Sequence, residues 1–251
     1  MATQKGILKV KGTLDDITFY KSKDGYKMRT KGGVDKKRIA TDPAFQRTRE
    51  NGAEFGRAGK AGKTLRTALR NVLIFSKDSS RVWRLTTEMV KVIQADQIND
   101  RGMRNVIDGE AELLSGFDFN RNGKLGTTLY APFTGTIDRA TGTLSVAIDP
   151  FIPGNMIVAP SGTTHYKIVS AGAEIDFENE VIVVESSESA ILPWNNVLTT
   201  AISQTNAVTA ASVKPLFLAL GVAFYQEVNT KMYPLKNGAF NPLSLVKVSG
   251  L

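Results

Sequence analysis

The chain contains no cysteine in 251 residues. Disulfides, thiolate nucleophiles and cysteine-held zinc or iron–sulfur centres are therefore excluded. It has a single histidine, His165, too few for a multi-histidine metal site. No apolar run approaches the roughly 18 residues that a membrane-crossing helix requires. The longest, residues 215–225, is short and rich in strand-forming side chains. The first twelve residues are polar and basic and lack the apolar core of a secretory leader. This sets the expectation of a protein that is cytoplasmic or incorporated in an assembled particle.

What is present is a globular composition, 42% hydrophobic and 22% charged, with an uneven distribution of charge. Residues 1–110 hold 24 Lys/Arg against 13 Asp/Glu, a net of +11, while residues 111–251 hold 8 against 11, a net of −3. The whole +11 excess has accumulated by residue 75. A basic region of this kind attracts nucleic acid, anionic lipid, an acidic protein surface or the acidic part of a second copy. The plain alternative is a solvated basic surface.

Apolar runs flank Asp24-Gly25, a strong hairpin signal, and predict strands near 6–11, 16–22 and 25–30, with a break at Gly32-Gly33. Their core is thin, so this arm needs something else to lean on. Thr41-Asp42-Pro43 starts a helix, read over 43–75, in which Gly52, Gly56, Gly59 and Gly62 predict close backbone packing or a kink within 50–62. From Ala58 onward one face is apolar and the other basic. A second helix is expected over 79–95 and a weaker third over 104–114. After Ser115, short Val/Ile/Thr-rich runs alternate with turn residues, predicting strands near 126–133, 134–138, 143–148, 155–159, 165–171, 180–185, 197–203, 216–227 and 243–248. The expected fold class is α+β: an N-terminal β-hairpin arm (1–40), a helical basic region (41–115) and a C-terminal antiparallel β-sandwich of immunoglobulin-like type, or a small barrel (116–251).

Five patterns carry candidate chemistry. Gly56-Arg-Ala-Gly59-Lys-Ala-Gly62-Lys63-Thr64 looks like a phosphate loop, but Arg57 stands where the motif needs glycine and helix precedes it where the motif needs a strand. Asp118, Asn120 and Asn122 open a calcium-loop pattern, a weak metal candidate because Leu129 replaces the bidentate acid; Asn122-Gly123 is also a good hairpin turn. His165 is the centre of a hypothetical hydrolase triad without a nucleophile-elbow pattern. Asp15-Asp16 and Glu174, Asp176, Glu178 and Glu180 are paired carboxylates, the latter in the alternation of a solvated strand face. The basic positions Arg47, Arg49, Arg57, Lys60, Lys63, Arg66 and Arg70 make the strongest candidate, a docking or anion-binding patch along one helix. No nucleic-acid reading module accompanies them.

Gly12-Thr-Leu-Asp-Asp-Ile-Thr-Phe19-Tyr20, followed by Asp24-Gly25-Tyr26, Arg29, Lys31-Gly32-Gly33-Val34, Arg38-Ile39-Ala40 and Asp42-Pro-Ala-Phe-Gln-Arg-Thr-Arg-Glu-Asn-Gly52, resembles the opening of a family of uncharacterised Bacteroidota proteins. These pair a Gly-x(6)-Phe-Tyr hairpin with a basic helical segment and a β-rich remainder. The resemblance is clearest over residues 6–75; it implies a bacterial or phage-related origin and a shared architecture, with no catalytic residues and no cofactor. The resulting expectation is a non-enzymatic, homo-oligomeric structural subunit (filament, tube, ring or phage-like particle) that docks through its basic hairpin and helix and takes no small-molecule substrate. A sequence-nonspecific nucleic-acid-binding protein is the alternative, and a hydrolase centred on His165 a second one.

Overall fold

The computed structural model describes residues 2–30 and 33–250, and the chain divides into two units, Met1–Arg49 and Glu50–Leu251. The boundary falls inside a long helix rather than at the transitions expected near residues 40 and 115.

The first unit is built on a four-stranded antiparallel sheet, order β1-β4-β3-β2, from β1 (Ala2–Thr3), β2 (Gly12–Leu14), β3 (Ile17–Ser22) and β4 (Gly25–Thr30). The Asp-Gly signal is realised: the β3–β4 turn closes at Gly25, whose φ of +108° suits a residue without Cβ. Asp15-Asp16 proves to be the β2–β3 turn, with Asp15 in the left-handed region. The strand expected over 6–11 does not form. The Val10 N–H donates to Gln4 Oε1 (3.0 Å) and the Val10 carbonyl accepts from Gln4 Nε2 (3.3 Å), so a side chain takes the place of a strand partner. Of the expected Gly32-Gly33 break, Gly32 lies outside the described residues. Helix α1 (Lys36–Thr41) is capped by Asp35, and the predicted start signal works at Asp42, which accepts from the Ala44 N–H and opens a 3-10 turn at Pro43–Phe45.

Helix α2 (Gln46–Ala68) then runs unbroken, so the kink expected within 50–62 is absent. The break comes instead at Leu69, before the short α3 (Arg70–Leu73). A Cβ at Gly52, Gly56 or Gly59 would meet nothing within 4 Å; only Gly62 packs closely, against Leu85 and Met89 of α4 (Arg81–Gln94). The phosphate-loop reading ends here, because its residues lie inside a helix whose backbone N–H groups are already engaged. The third helix is reduced to a 3-10 turn, Ala111–Leu114.

The remaining strands are β5 (Phe133–Asp138), β6 (Thr143–Ile148), β7 (His165–Asp176), β8 (Val181–Glu188), β9 (Leu192–Pro193), β10 (Ile202–Ala207), β11 (Leu216–Val228), β12 (Lys231–Pro234) and β13 (Leu243–Ser249). They form a six-stranded antiparallel sheet, order β12-β11-β7-β8 with β13 on β11 and β9 on β7, and a three-stranded one, order β10-β6-β5. The strands expected at 126–133 and 155–159 are replaced by a 3-10 turn at Leu125–Thr127 and the short α5 (Pro153–Met156), joined by a bridge between Leu129 and Ile157. Proline at the first helical position favours that turn of helix over an extended run.

The six-stranded sheet is covered on both faces. Phe217 and Ala219 of β11 and Val169, Ala171, Ala173 and Ile175 of β7 pack against α2 and α4, through Leu65, Leu69, Leu85, Met89 and Ile93. The intervening β11 residues Leu216, Leu218, Leu220, Val222 and Phe224 pack against Leu144, Val146 and Ile148 of the small sheet. This accounts for the buried apolar run along β11, which a strand with one solvated face would not have. Each fully buried Leu or Phe contributes roughly 1.5–3 kcal/mol. Gly172 lets the sheets meet: a Cβ there would lie 2.9 Å from Asn206 Cβ and 3.1 Å from Leu144 Cβ. The layers also close at their margins. Gly135 of β5 lies against Leu218 and Val246, and β8 is tied to β10 by the Ser187 hydroxyl on Thr205 O (2.7 Å) and by Glu185, which accepts from the Ala207 N–H. The protein is thus a mixed helix and antiparallel-sheet structure whose C-terminal sheet curls over a core.

Candidate docking surfaces

The seven basic residues of the predicted patch do not act as one surface. Arg49 donates to the Ile39 and Asp42 carbonyls (2.7 and 2.9 Å), fastening the turn before α2. Arg57 donates to the Gly102 and Arg104 carbonyls (2.6 and 3.1 Å) and so pins the loop after α4. Lys60 pairs with Glu180 in the β7–β8 turn (2.7 Å), which holds the Glu180 carboxyl below its ordinary range. Arg66 reaches back to the Gly62 carbonyl (3.1 Å). Arg47, Lys63 and Arg70 are exposed. Structural work thus claims much of the row that helical periodicity made look like one face, because nearby carbonyls and carboxylates are the partners that satisfy a guanidinium or ammonium. Arg66, Arg70 and Arg81 do border one open groove of about 450 Å³.

The calcium-loop residues are occupied by their own chain. Asn120 is buried and donates to the Ala239 and Asn241 carbonyls (3.0 and 2.9 Å), while its oxygen accepts from the Asn122 N–H. Asp118 accepts from the Leu125 N–H (3.0 Å), and burial pushes its carboxyl up from the usual value. His165 Nδ1 lies 2.9 Å from the Thr164 hydroxyl and Nε2 lies 3.8 Å from Glu227. The acidic series of the β7–β8 hairpin is partly structural. Glu174 accepts from the Thr209 N–H (3.0 Å) and Asp176 pairs with Lys214 (2.7 Å), which, with Asn179, holds the Asp176 carboxyl well below the usual range.

A groove of about 580 Å³ runs beside α4 between exposed Trp83 and Lys124. Arg84 forms its floor over the Phe117 ring, 5.3 Å to the centroid, and donates to the Asp118 carbonyl and to Asp78 (both 2.8 Å). Burial opposes ionisation of Asp78. Hydrogen bonds from the Ser80 hydroxyl and N–H, the Arg121 N–H and Arg84 outweigh it and hold the carboxyl well below its ordinary range. No motif pointed to this hub, whose members lie far apart in sequence.

The feature that sets the N-terminal unit apart is its exposure. None of its described residues is buried. Ile7 is 100% and Leu8 86% exposed, and Val10, Leu14 and Ile17 are exposed as well. Three of its aromatic rings carry the unit's own cations, Lys21 over Tyr26 (5.7 Å), Arg29 over Tyr20 (5.6 Å) and Arg38 over Phe45 (5.7 Å). The unit's 49 residues hold 13 Lys/Arg and 5 Asp/Glu, a net of +8, whereas residues 50–251 hold 19 of each. The net charge of the whole chain therefore resides in the unit that buries least.

In the second unit the exposed apolar counterpart is the edge strand β8. Its outer side pairs with no strand among the described residues, and Val181, Val183 and Val184 stand in solvent. No helix of the described residues is long and apolar enough to cross a membrane. No family model matches the chain, and no curated protein or solved structure matches it either.

Proposed function

We propose that this chain is a non-enzymatic structural subunit that assembles with copies of itself and docks through its N-terminal unit. One observation carries the reading: an N-terminal unit with no buried residue among those described, strongly exposed aliphatic side chains and the entire net charge. A sheet that buries so little gains little stability alone, and the same surface becomes favourable once a partner removes it from water. A filament, tube, ring or phage-like particle is the expected product, in keeping with the bacterial or phage-related origin that the sequence resemblance implies. The immunoglobulin-like description of the β body belongs here too. Two antiparallel sheets facing across one core support it, while the helices on the outer face of the larger sheet are an addition to that plan. Sedimentation velocity across protein concentration at low and high salt tests the assembly. Concentration-dependent species that salt weakens are expected, and a monomer throughout, at low salt and high concentration, overturns the proposal.

A second reading is favoured by the Arg66, Arg70 and Arg81 groove, which suits a phosphate backbone and supports sequence-nonspecific nucleic-acid binding. A gel shift over a salt series separates the two, since retardation that fades with salt supports this reading and none at low salt removes it.

A further inference from the structure

We infer that the partner is a second copy of this chain and that the contact is an edge-to-edge strand addition, in which residues 7–14 of one copy add to the open stretch of β8, residues 181–184, in the next. The inference rests on the self-assembly reading above and names its two surfaces.

The donor side is a strand in sequence that lacks a strand partner in the structure. Leu8, Val10 and Leu14 fall on alternate positions and share a face when the segment is extended, with Lys9 and Lys11 on the other face. Only residues 12–14 are paired, to β3. Ahead of them the Val10 peptide group is held by the Gln4 side chain, whose two hydrogen bonds are those a neighbouring strand would exchange for its own. All three apolar residues of this face are exposed.

The acceptor side is an edge without the usual protection. Edge strands are normally guarded by lysine, proline or a covering element. β8 reads Val-Ile-Val-Val-Glu-Ser-Ser-Glu and contains neither lysine nor proline. β10 closes it only from Glu185 onward. The open stretch is thus short, apolar and flanked by exposed Glu178 and Glu185, while Glu180 beside it is already paired with Lys60. Lysines alternating with aliphatics on the donor meet glutamates flanking valines on the acceptor, so apolar contact and charge agree on one pairing. The two patches are different surfaces of one chain. Each copy therefore gives one contact and receives one, and the assembly propagates head to tail.

A charge exchange tests this. Lys9→Glu with Lys11→Glu makes the donor acidic, and Glu178→Lys makes the acceptor basic. All three positions are exposed. Each variant alone is expected to associate roughly tenfold or more weakly than the parent, because like charges then face each other. Mixing the two restores association, since acidic donor meets basic acceptor and the parental pair also reforms. The chain has no cysteine, so Val10→Cys with Val183→Cys gives a clean crosslink, expected under oxidation as a ladder of covalent multimers. If the parent assembles while the exchange has no effect and no ladder forms, the strand pairing is overturned and the self-assembly reading stands. A parent that stays monomeric overturns both. A crosslink confined to monomer overturns the pairing between copies. Binding of the parent to phosphatidylglycerol vesicles without self-association assigns the Ile7-Leu8 tip to lipid and likewise overturns it.

Discussion

The two units obey different rules. Residues 50–251 bury both faces of a sheet between helices and a second sheet. Residues 1–49 are held by a few tight turns, a side-chain clasp on Val10 and cations laid over tyrosines, with no buried residue among those described. The body is held by packing, where a lost methylene is felt; the arm is held by local hydrogen bonds and pairings, where side chains can change with little cost to folding. The molecule thus combines a neutral, packed body with a basic arm that buries none of its described residues.

The largest effect that would sharpen this contrast is expected at Phe217, fully buried and edge-on to Phe177 at 6.0 Å. Phe217→Ala should cost about 3–5 kcal/mol in urea unfolding followed by tryptophan fluorescence, to which Trp83 and Trp194 both report from the body. Gly172→Val comes next. The sheets have no room for the added carbons, and a loss of roughly 3 kcal/mol in the same assay is expected, at the upper end for an overpacked core. A cost within experimental error at either site would break the comparison from the body's side.

Acid offers a smaller test. Burial of Asp96 opposes its charge, but N–H groups of Asn99, Asn105 and Ile98 and the Asn99 amide outweigh this and lower its carboxyl to about 2. Because the folded value lies below the unfolded one, its contribution is complete above about pH 4 and is lost as pH falls from there toward 2. The amount is roughly 2 kcal/mol, seen as a falling urea midpoint over that window that Asp96→Asn flattens. The smallest effect belongs to the arm. Leu8→Asp should change the unfolding free energy by less than about 0.5 kcal/mol while abolishing salt-sensitive assembly in sedimentation velocity. A large destabilisation there would show that the arm, too, is held by packing.

Local chemistry was the legible part. The Asp24-Gly25 hairpin, the Asp42 start signal, helix α4 and the β-rich C-terminal region follow from turn residues and periodicity, which act over a few positions. The glycines of α2 misled, since three of them face open space and nothing in the sequence tells an unpacked glycine from a packed one. The basic row misled for a related reason. Periodicity places side chains on a face, but Arg57 is engaged by carbonyls 45 and 47 residues away and Lys60 by Glu180. No sequence signal marks the role of Arg139, yet it gathers the Ser212, Lys214 and Gly250 carbonyls and the Ser249 hydroxyl at the end of β13.

By itself the sequence determined the N-terminal hairpin, the division into a helical and a β-rich part and the concentration of positive charge at the start of the chain, because propensity, turn geometry and charge are properties of neighbouring residues. Only the tertiary structure decided that helices and sheet share one core, that β11 is buried on both faces, that the β8 edge stays open and that residues 6–11 remain unpaired. Those outcomes depend on which surfaces meet, and the contacts that fix them join residues up to more than a hundred positions apart.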